Sequence, residues 1–182
     1  MIKRICAISV LIFIVFLYCI SFISCNGIDN NGIKRTAADI ESDEFTYLDN
    51  EAIALAESAN DSGLRAVALQ TSNIVNDIRA EAGLDELDWD INLETVAHVR
   101  AKECSQKFSH TRPNGTQWYT VNSKIQGGEN LAFGFNNTED VVEAWMNSPT
   151  HRDNILYEDF ERVAISIYEE DGTYYWAQEY GY

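Results

Sequence analysis

The second half of the chain carries hydrophobic residues at intervals of three or four, which is the spacing of amphipathic helices. This spacing predicts helices over residues 64–82 and 92–107, and a third that starts at Thr138 as its N-cap. Ser148 and Pro149 suit an N-cap and a first helical position, so a short fourth helix is predicted to end near Leu156. The predicted buried face of the second helix comprises Leu93, Ala97, Ala101, Cys104 and Phe108.

The C-terminal residues have the composition of a β-hairpin. Residues 162–168 are rich in β-branched and aromatic side chains, Asp171-Gly172 is a type I′ turn signal, and residues 173–180 form the returning strand. Apolar side chains alternate onto both faces of the first strand, which indicates a sheet covered on both sides. We therefore predict an α+β fold, a three-layer α-β-α sandwich with a central antiparallel sheet.

The N-terminus has the pattern of an export signal. Two basic residues, Lys3 and Arg4, precede an apolar run over residues 5–23. The following Ser24-Cys25 resembles the end of a bacterial lipobox, in which the cysteine receives the lipid. A retained membrane anchor and a cleaved signal of a secreted protein are the alternatives, since a run of this length can also just span a bilayer. All three place the remainder of the protein outside the cytoplasm.

Charge and composition divide the rest of the chain. The protein has 13 basic and 29 acidic residues and a net charge of −16, so it repels phosphate backbones and nucleic-acid binding is excluded. The same charge keeps it from anionic lipid unless it is anchored. Residues 26–60 are acidic and polar with little periodicity. We predict a signal peptide over 1–25, an acidic flexible tether over 26–60 with a frayed helix within 46–59, and one folded domain over 61–182.

Several short motifs follow one another from about residue 71 to the end. In order, they are Asn76-Asp77-Ile78-Arg79, Phe108-Ser109-His110, Gly128-Glu129-Asn130-Leu131, and Ser148-Pro149-x-His151-Arg152. This series resembles the CAP/SCP superfamily, which groups cysteine-rich secretory proteins, antigen 5 and pathogenesis-related proteins, and it is most similar to the bacterial branch. The resemblance implies the same α-β-α sandwich that the hydrophobic pattern predicts.

The resemblance also implies a groove that holds two histidines and two acidic residues. His110, Glu129 and His151 match three of these positions, but Ser148 stands at the fourth. Glu143 is the nearest substitute, and its helical phase predicts a solvated side chain. Two imidazoles and one carboxylate with an open position suit Zn²⁺ or another divalent cation. The alternative is a structural cluster in which the same side chains bond backbone groups and no metal is held.

Two functions remain open at this point. The first is a non-enzymatic extracytoplasmic module that binds a small apolar ligand or an extracellular protein partner and is tethered to the membrane through lipidated Cys25. The second is a metal-dependent extracellular hydrolase of peptide or cell-wall substrates. The missing second acidic residue, and the lack of an evident general base beyond Glu129, favour the binding module. Cys104 lies on a predicted buried stripe, which favours a packing role for its thiol over a nucleophilic one.

Overall fold

The computed structural model describes residues 47–57 and 62–182, so the predicted leader, Cys25 and most of the predicted tether lie outside the described residues. The division of the chain at residues 25 and 60 stays a prediction. The elements are α1 (Asn50–Glu57), α2 (Ser62–Glu81), β1 (Asp88–Trp89), α3 (Ile91–Gln106), a 3₁₀ helix (Trp118–Val121), β2 (Gly128–Phe133), α4 (Thr138–Asn147), α5 (Pro149–Ile155), β3 (Arg162–Glu170) and β4 (Thr173–Gly181).

The four strands form one sheet in the order β1-β3-β4-β2. The predicted hairpin is confirmed: β3 and β4 pair antiparallel, and Asp171 and Gly172 both have the positive φ, 52° and 76°, that a type I′ turn requires. Strand β2 adds antiparallel to β4, while β1 pairs parallel with β3. The sheet is therefore antiparallel in its three long strands and carries one short parallel strand at its edge, in the connection between α2 and α3.

Helices cover both faces of this sheet. On one face, Val163 and Trp176 pack in a core with residues of α2, α4 and α5, including Val75 and Trp145. On the other face, Leu131 and the neighbouring alanine of β4 pack against α3. These two layers of helices confirm the predicted α+β fold.

Helix α3 is buried on nearly every side. Leu93, Ala97, Ala101 and Cys104 are buried as predicted, because they face the sheet. The opposite side, with Val96 and Val99, is covered by Ala52 and Ile53 of α1. The prediction that Phe108 continues the buried stripe is wrong, since α3 ends at Gln106 and the Phe108 side chain is 48% exposed. Among the helices of the described ranges, none has the length and apolar character needed to cross a membrane.

Candidate functional site

His110 lies in the loop that follows α3 and points at strand β2. Its Nδ1 is 2.7 Å from Oε1 of Glu129, and 55% of its side chain is exposed. A carboxylate can only accept, so Nδ1 must carry the hydrogen of this bond. The carboxylate therefore selects one tautomer of the neutral ring, in which Nε2 keeps its lone pair for a ligand.

Glu129 is buried and held from the opposite side by Arg100 of α3. The guanidinium Nε donates to Oε2 at 2.6 Å, and Nη2 is 3.3 Å from Oε1. Burial opposes ionisation of Glu129, but the hydrogen bonds from His110 and Arg100 outweigh it and lower the pKa of this carboxyl. Glu129 is thus an ionised group whose two oxygens are both engaged.

A second buried carboxyl, Glu179, lies directly opposite Glu129 on strand β4. Its side chain is fully buried, and this burial, together with the negative charge of Glu129, raises its pKa well above the ordinary value for a glutamate. Oε2 accepts from Nε2 of Gln126 at 3.0 Å. The raised pKa favours the protonated form of Glu179 beside the ionised Glu129, and Oε1 of Glu179 has no hydrogen-bond partner among the described residues. This arrangement avoids placing two negative charges side by side in the core.

His151 reaches the site from α5, on the other side of β2. Ser148 occupies the N-cap position without a side-chain cap, and Pro149 follows as predicted. The backbone carbonyl of His151 accepts from Nδ2 of Asn130 at 3.1 Å, which ties α5 to β2. Burial, and then the positive charge of a protonated His110, lower the pKa of His151. His151 therefore lies within range of the charge of His110, and its lowered pKa favours the neutral imidazole at pH 7.

The structure therefore brings the predicted site residues to one region but gives them different roles. His110 and Glu129 are in direct contact, and His151 is a neighbour of His110. Within residues 47–57 and 62–182, no group of three or more His, Cys, Asp or Glu side chains is arranged to hold a metal ion. Binding of a cation by all three residues stays a prediction.

Two further side chains, Glu143 and Cys104, also have predicted roles. Glu143 is exposed on α4, in agreement with its helical phase. Cys104 is 1% exposed, and burial raises the pKa of its thiol to about 12. Such a thiol is not ionised near neutral pH, so Cys104 acts as a packing residue, as predicted.

The sequence analysis did not predict that Arg100 and Glu179 lie buried beside Glu129. Arg100 follows Ala97 by three residues and precedes Cys104 by four, which places a basic residue on a buried stripe. Glu179 lies on the same face of β4 as Tyr175 and Ala177, which places an acidic residue on a largely apolar face. A buried charge needs a partner of opposite sign or a shared proton, so these two positions were the available signal for a buried polar network.

Comparisons with known proteins agree with this fold. The profile described as Cysteine-rich secretory protein family (CAP) matches residues 73–180. YkwD of Bacillus subtilis (strain 168) is 30% identical over 159 residues, which are 81% of this chain and 60% of YkwD. A structure of an extracellular protein containing an SCP domain from Bacillus anthracis str. Ames has a TM-score of 0.58 at 25% identity, over 64% of this chain and 40% of that chain. A structure of NaASP2 with Zn²⁺ has a TM-score of 0.52 at 17% identity, over 68% and 83%.

The similarity covers only part of the two Bacillus proteins, because this chain spans less than two thirds of the length of each. The matched part coincides with the folded layers and includes His110, Glu129 and His151. With more than half of its residues matched and with the expected sandwich of helices and strands in place, this chain belongs to the cysteine-rich secretory protein (CAP) family and has bacterial relatives within it.

Proposed function

We propose that this protein is an exported CAP-domain module that binds a ligand or a protein partner outside the cytoplasm. The observation that carries the proposal is the engagement of Glu129 by Arg100 and His110. A general base working near neutral pH needs a pKa near 7 and access to substrate. Glu129 has a lowered pKa and no exposed side-chain surface. Its position supports a role in orienting His110, and the exposed face of His110 supports ligand binding.

A divalent cation is one ligand that this arrangement suits. The Glu129 carboxylate fixes the tautomer that presents Nε2 of His110, as carboxylates do behind histidine ligands of zinc. His151 adds a second imidazole whose lowered pKa keeps it neutral, which coordination requires. Two protein donors with water in the remaining positions support weak binding. The similarity to NaASP2, whose structure contains Zn²⁺, supports testing that ion first.

Titration calorimetry with Zn²⁺ tests the cation site. We expect one weak site in the wild-type protein and at least about a tenfold loss of affinity in His110→Ala and in His151→Ala. The affinity should fall as the pH drops below roughly 6.5, because a proton then competes with the cation for the His151 imidazole, whose pKa is lowered. Glu158→Gln is the matched control, since it removes an exposed carboxylate from another surface. Equal affinity in all four proteins would mean that the acidic surface binds Zn²⁺ non-specifically and would rule out the site.

A specific observation also favours the alternative, an extracellular hydrolase of peptide or cell-wall substrates. An exposed histidine oriented by a buried carboxylate can act as a general base, as Nε2 of His110 could here. Turnover of casein and of purified cell-wall fragments, with and without a chelator, separates the two functions. The binding module predicts no turnover above that of His110→Ala. Turnover that is lost in His110→Ala but kept in Glu158→Gln would identify a hydrolase.

We further propose that a lipid on Cys25 holds the module at the membrane surface. The support is the Ser24-Cys25 pair at the end of an apolar run, together with an extracellular relative in Bacillus anthracis. Metabolic labelling with a fatty acid should mark the wild-type protein and leave Cys25→Ala unmarked. Cys104→Ala serves as the control for labelling of another cysteine. A wild-type protein that takes up no label would exclude the lipid anchor.

A further inference from the structure

The strap, defined here as Tyr47–Glu57, crosses the outer side of α3 and begins beside the 3₁₀ helix. Backbone pairing fixes its first residues: Ser123 N donates to Tyr47 O at 2.9 Å, and Asp49 N donates to Val121 O at 2.9 Å. Helix α1 then packs Ala52 and Ile53 against an apolar cluster on α3. The strap lies on the outside of α3, and a peripheral element of this kind can open locally before the core unfolds.

The two carboxylate oxygens of Asp49 have different partners, one within the strap and one in the interior of the domain. Oδ1 caps α1 by accepting from Ala52 N at 3.0 Å. Oδ2 lies 2.8 Å from Nη2 of Arg112, whose own side chain is 3% exposed. The bond from Ala52 and the charge of Arg112 outweigh the effect of partial burial and lower the pKa of Asp49. The ionised carboxylate therefore neutralises a buried guanidinium only while the strap is docked.

Arg112 begins a relay of ion pairs that ends at the candidate site. Its Nη2 also donates to Oε1 of Glu103 at 2.8 Å. Glu103 accepts from Nη1 of Arg100 at 2.5 Å, and Arg100 holds Glu129 at 2.6 Å. Glu129 in turn orients His110 at 2.7 Å. The Glu103 carboxylate is shared by Arg112 and Arg100. The Glu129 carboxylate is shared by Arg100 and His110. A shift in one guanidinium therefore changes the position of the next carboxylate.

The same two arginines also hold the backbone on both sides of His110. Nη2 of Arg100 donates to the carbonyl of Ser109 at 2.8 Å. Arg112 lies two residues after His110, and its backbone N donates to Thr116 O at 2.9 Å. The loop that carries the exposed imidazole is thus held on one side by the Arg100 guanidinium and on the other by Arg112, whose guanidinium is bonded to Glu103 and Asp49. Asp49 is the member of this set that belongs to the strap.

We propose that the strap regulates the His110 site, with Asp49 as a positioning residue that acts through Arg112. Docking of the strap completes the relay and fixes the His110 loop and its Glu129 contact. Release of the strap, for example by a protein partner that captures α1, removes one of the two carboxylates that hold Arg112, leaves Glu103 and Thr120 as its side-chain partners, and loosens the site. The inference rests on the proposed function in one respect, since it assigns a control element to that proposed ligand site. Coupling is reciprocal, so a ligand held by His110 also stabilises the docked strap.

The test is amide hydrogen exchange by NMR on the full chain without ligand, comparing wild type with Asp49→Asn and Glu51→Gln. Asparagine can still cap α1, so Asp49→Asn removes the ion pair and leaves the helix start intact. We expect exchange of the Thr111, Arg112 and Gly115 amides to quicken by about three- to tenfold in Asp49→Asn. Glu51 is an exposed residue of the same helix, so Glu51→Gln should leave these rates unchanged.

The ¹⁵N spectrum of the His110 ring gives a second readout that a general loss of stability does not move. Wild type should show a protonated Nδ1 and a bare Nε2, and Asp49→Asn should shift toward the mixed tautomers of a mobile ring. Unchanged rates and an unchanged ring in Asp49→Asn, or equal changes in Glu51→Gln, would overturn the proposal. These measurements need no metal. A wild-type protein that fails to bind Zn²⁺ would therefore count against the proposed cation site and leave the strap result intact.

Discussion

His98 shows how a single buried titratable side chain couples this domain to pH. The residue is 8% exposed, and its Nδ1 lies 3.2 Å from Oγ of Ser166 on strand β3. In the sequence, His98 falls between the apolar stripe of α3 and the polar side, which predicts a surface histidine; this prediction is wrong because β3 covers this side of α3. Burial, followed by the charge of Lys102, lowers the pKa of His98, while Glu94 opposes the shift. Protonation of His98 is therefore harder in the folded state than in the unfolded chain.

The sign of the resulting pH dependence follows from that difference. Above about pH 6.5 His98 is neutral in both states and has no effect on the pH dependence. Below that pH the unfolded chain takes up a proton that the folded state resists, so the free energy of unfolding falls until the pH reaches the lowered pKa. We expect His98→Asn, which removes the titration, to lose less stability than wild type between pH 7 and pH 5.5. Urea unfolding at both pH values measures this, and equal losses would contradict the assigned pKa shift.

Motifs mark His110, Glu129 and His151 in the sequence, but no motif indicates which buried arginines contact other parts of the fold. Arg79 belongs to the first motif, yet its function emerges only from the fold. Its buried guanidinium donates to the carbonyls of Ile155 and Tyr157 at 2.8 and 2.9 Å, at the end of α5. Those carbonyls lie far along the chain, and hydrophobic periodicity carries no information about long-range hydrogen bonds.

Strand β2 is the element on which the candidate site depends, and it is an edge strand. Side chains from α4 and α5 occupy its outward carbonyls: Nδ2 of Asn154 donates to Glu129 O at 3.2 Å, and Nε1 of Trp145 donates to Leu131 O at 3.3 Å. At its start, a Cβ on Gly128 would lie 2.7 Å from the Phe160 ring, so only glycine allows this close approach. The helices thus protect an edge that could otherwise pair with another chain.

Asn154 should therefore stabilise both the edge and the helix that carries His151. Besides Glu129 O, its amide donates to Oδ1 of Asn130 at 2.9 Å. We expect Asn154→Ala to lower the free energy of unfolding by about 1–3 kcal/mol, because it leaves buried acceptors unsatisfied. Asp153→Ala is the control, since Asp153 is exposed on the same helix. Chemical unfolding compares the two, and a loss in Asn154→Ala no larger than that of the control would show that the Asn154 hydrogen bonds do not stabilise the packing of α5 on β2.

The elements differed in how far the sequence predicted them. Helices α2 and α3 and the β3-β4 hairpin have strong periodicity or turn chemistry, and they were predicted to within about two residues. Strand β2 was missed because Gly, Glu and Asn are poor strand formers, and it forms because β4 pairs with it. The cap of α4 was displaced by one residue: Oδ1 of Asn137 accepts from Asp140 N at 2.8 Å, and Thr138 is already helical.

At the scale of the whole molecule, the strap bears on the position of the N-terminal boundary of the folded domain. The predicted boundary at residues 60 and 61 assigns the strap to the tether, whereas the strap contacts α3 and neutralises Arg112. The main apolar core, by contrast, draws its residues from α2 onward, including Val75, Trp145 and Trp176. A fragment can therefore keep the complete core and still lack the strap. The main core and the strap therefore make different contributions to stability, which can be measured separately.

Fragments 47–182 and 62–182 measure that separation. We expect both to unfold cooperatively, because each contains the main core. The shorter fragment should be less stable by about 2–4 kcal/mol, since it exposes Val96 and Val99 and leaves the buried Arg112 with one carboxylate fewer. Asp49→Asn in the longer fragment should reproduce only the electrostatic part of that loss. Stabilities equal to within about 0.5 kcal/mol would place the strap with the tether, and a 62–182 fragment without a cooperative transition would show that the core needs the strap to fold.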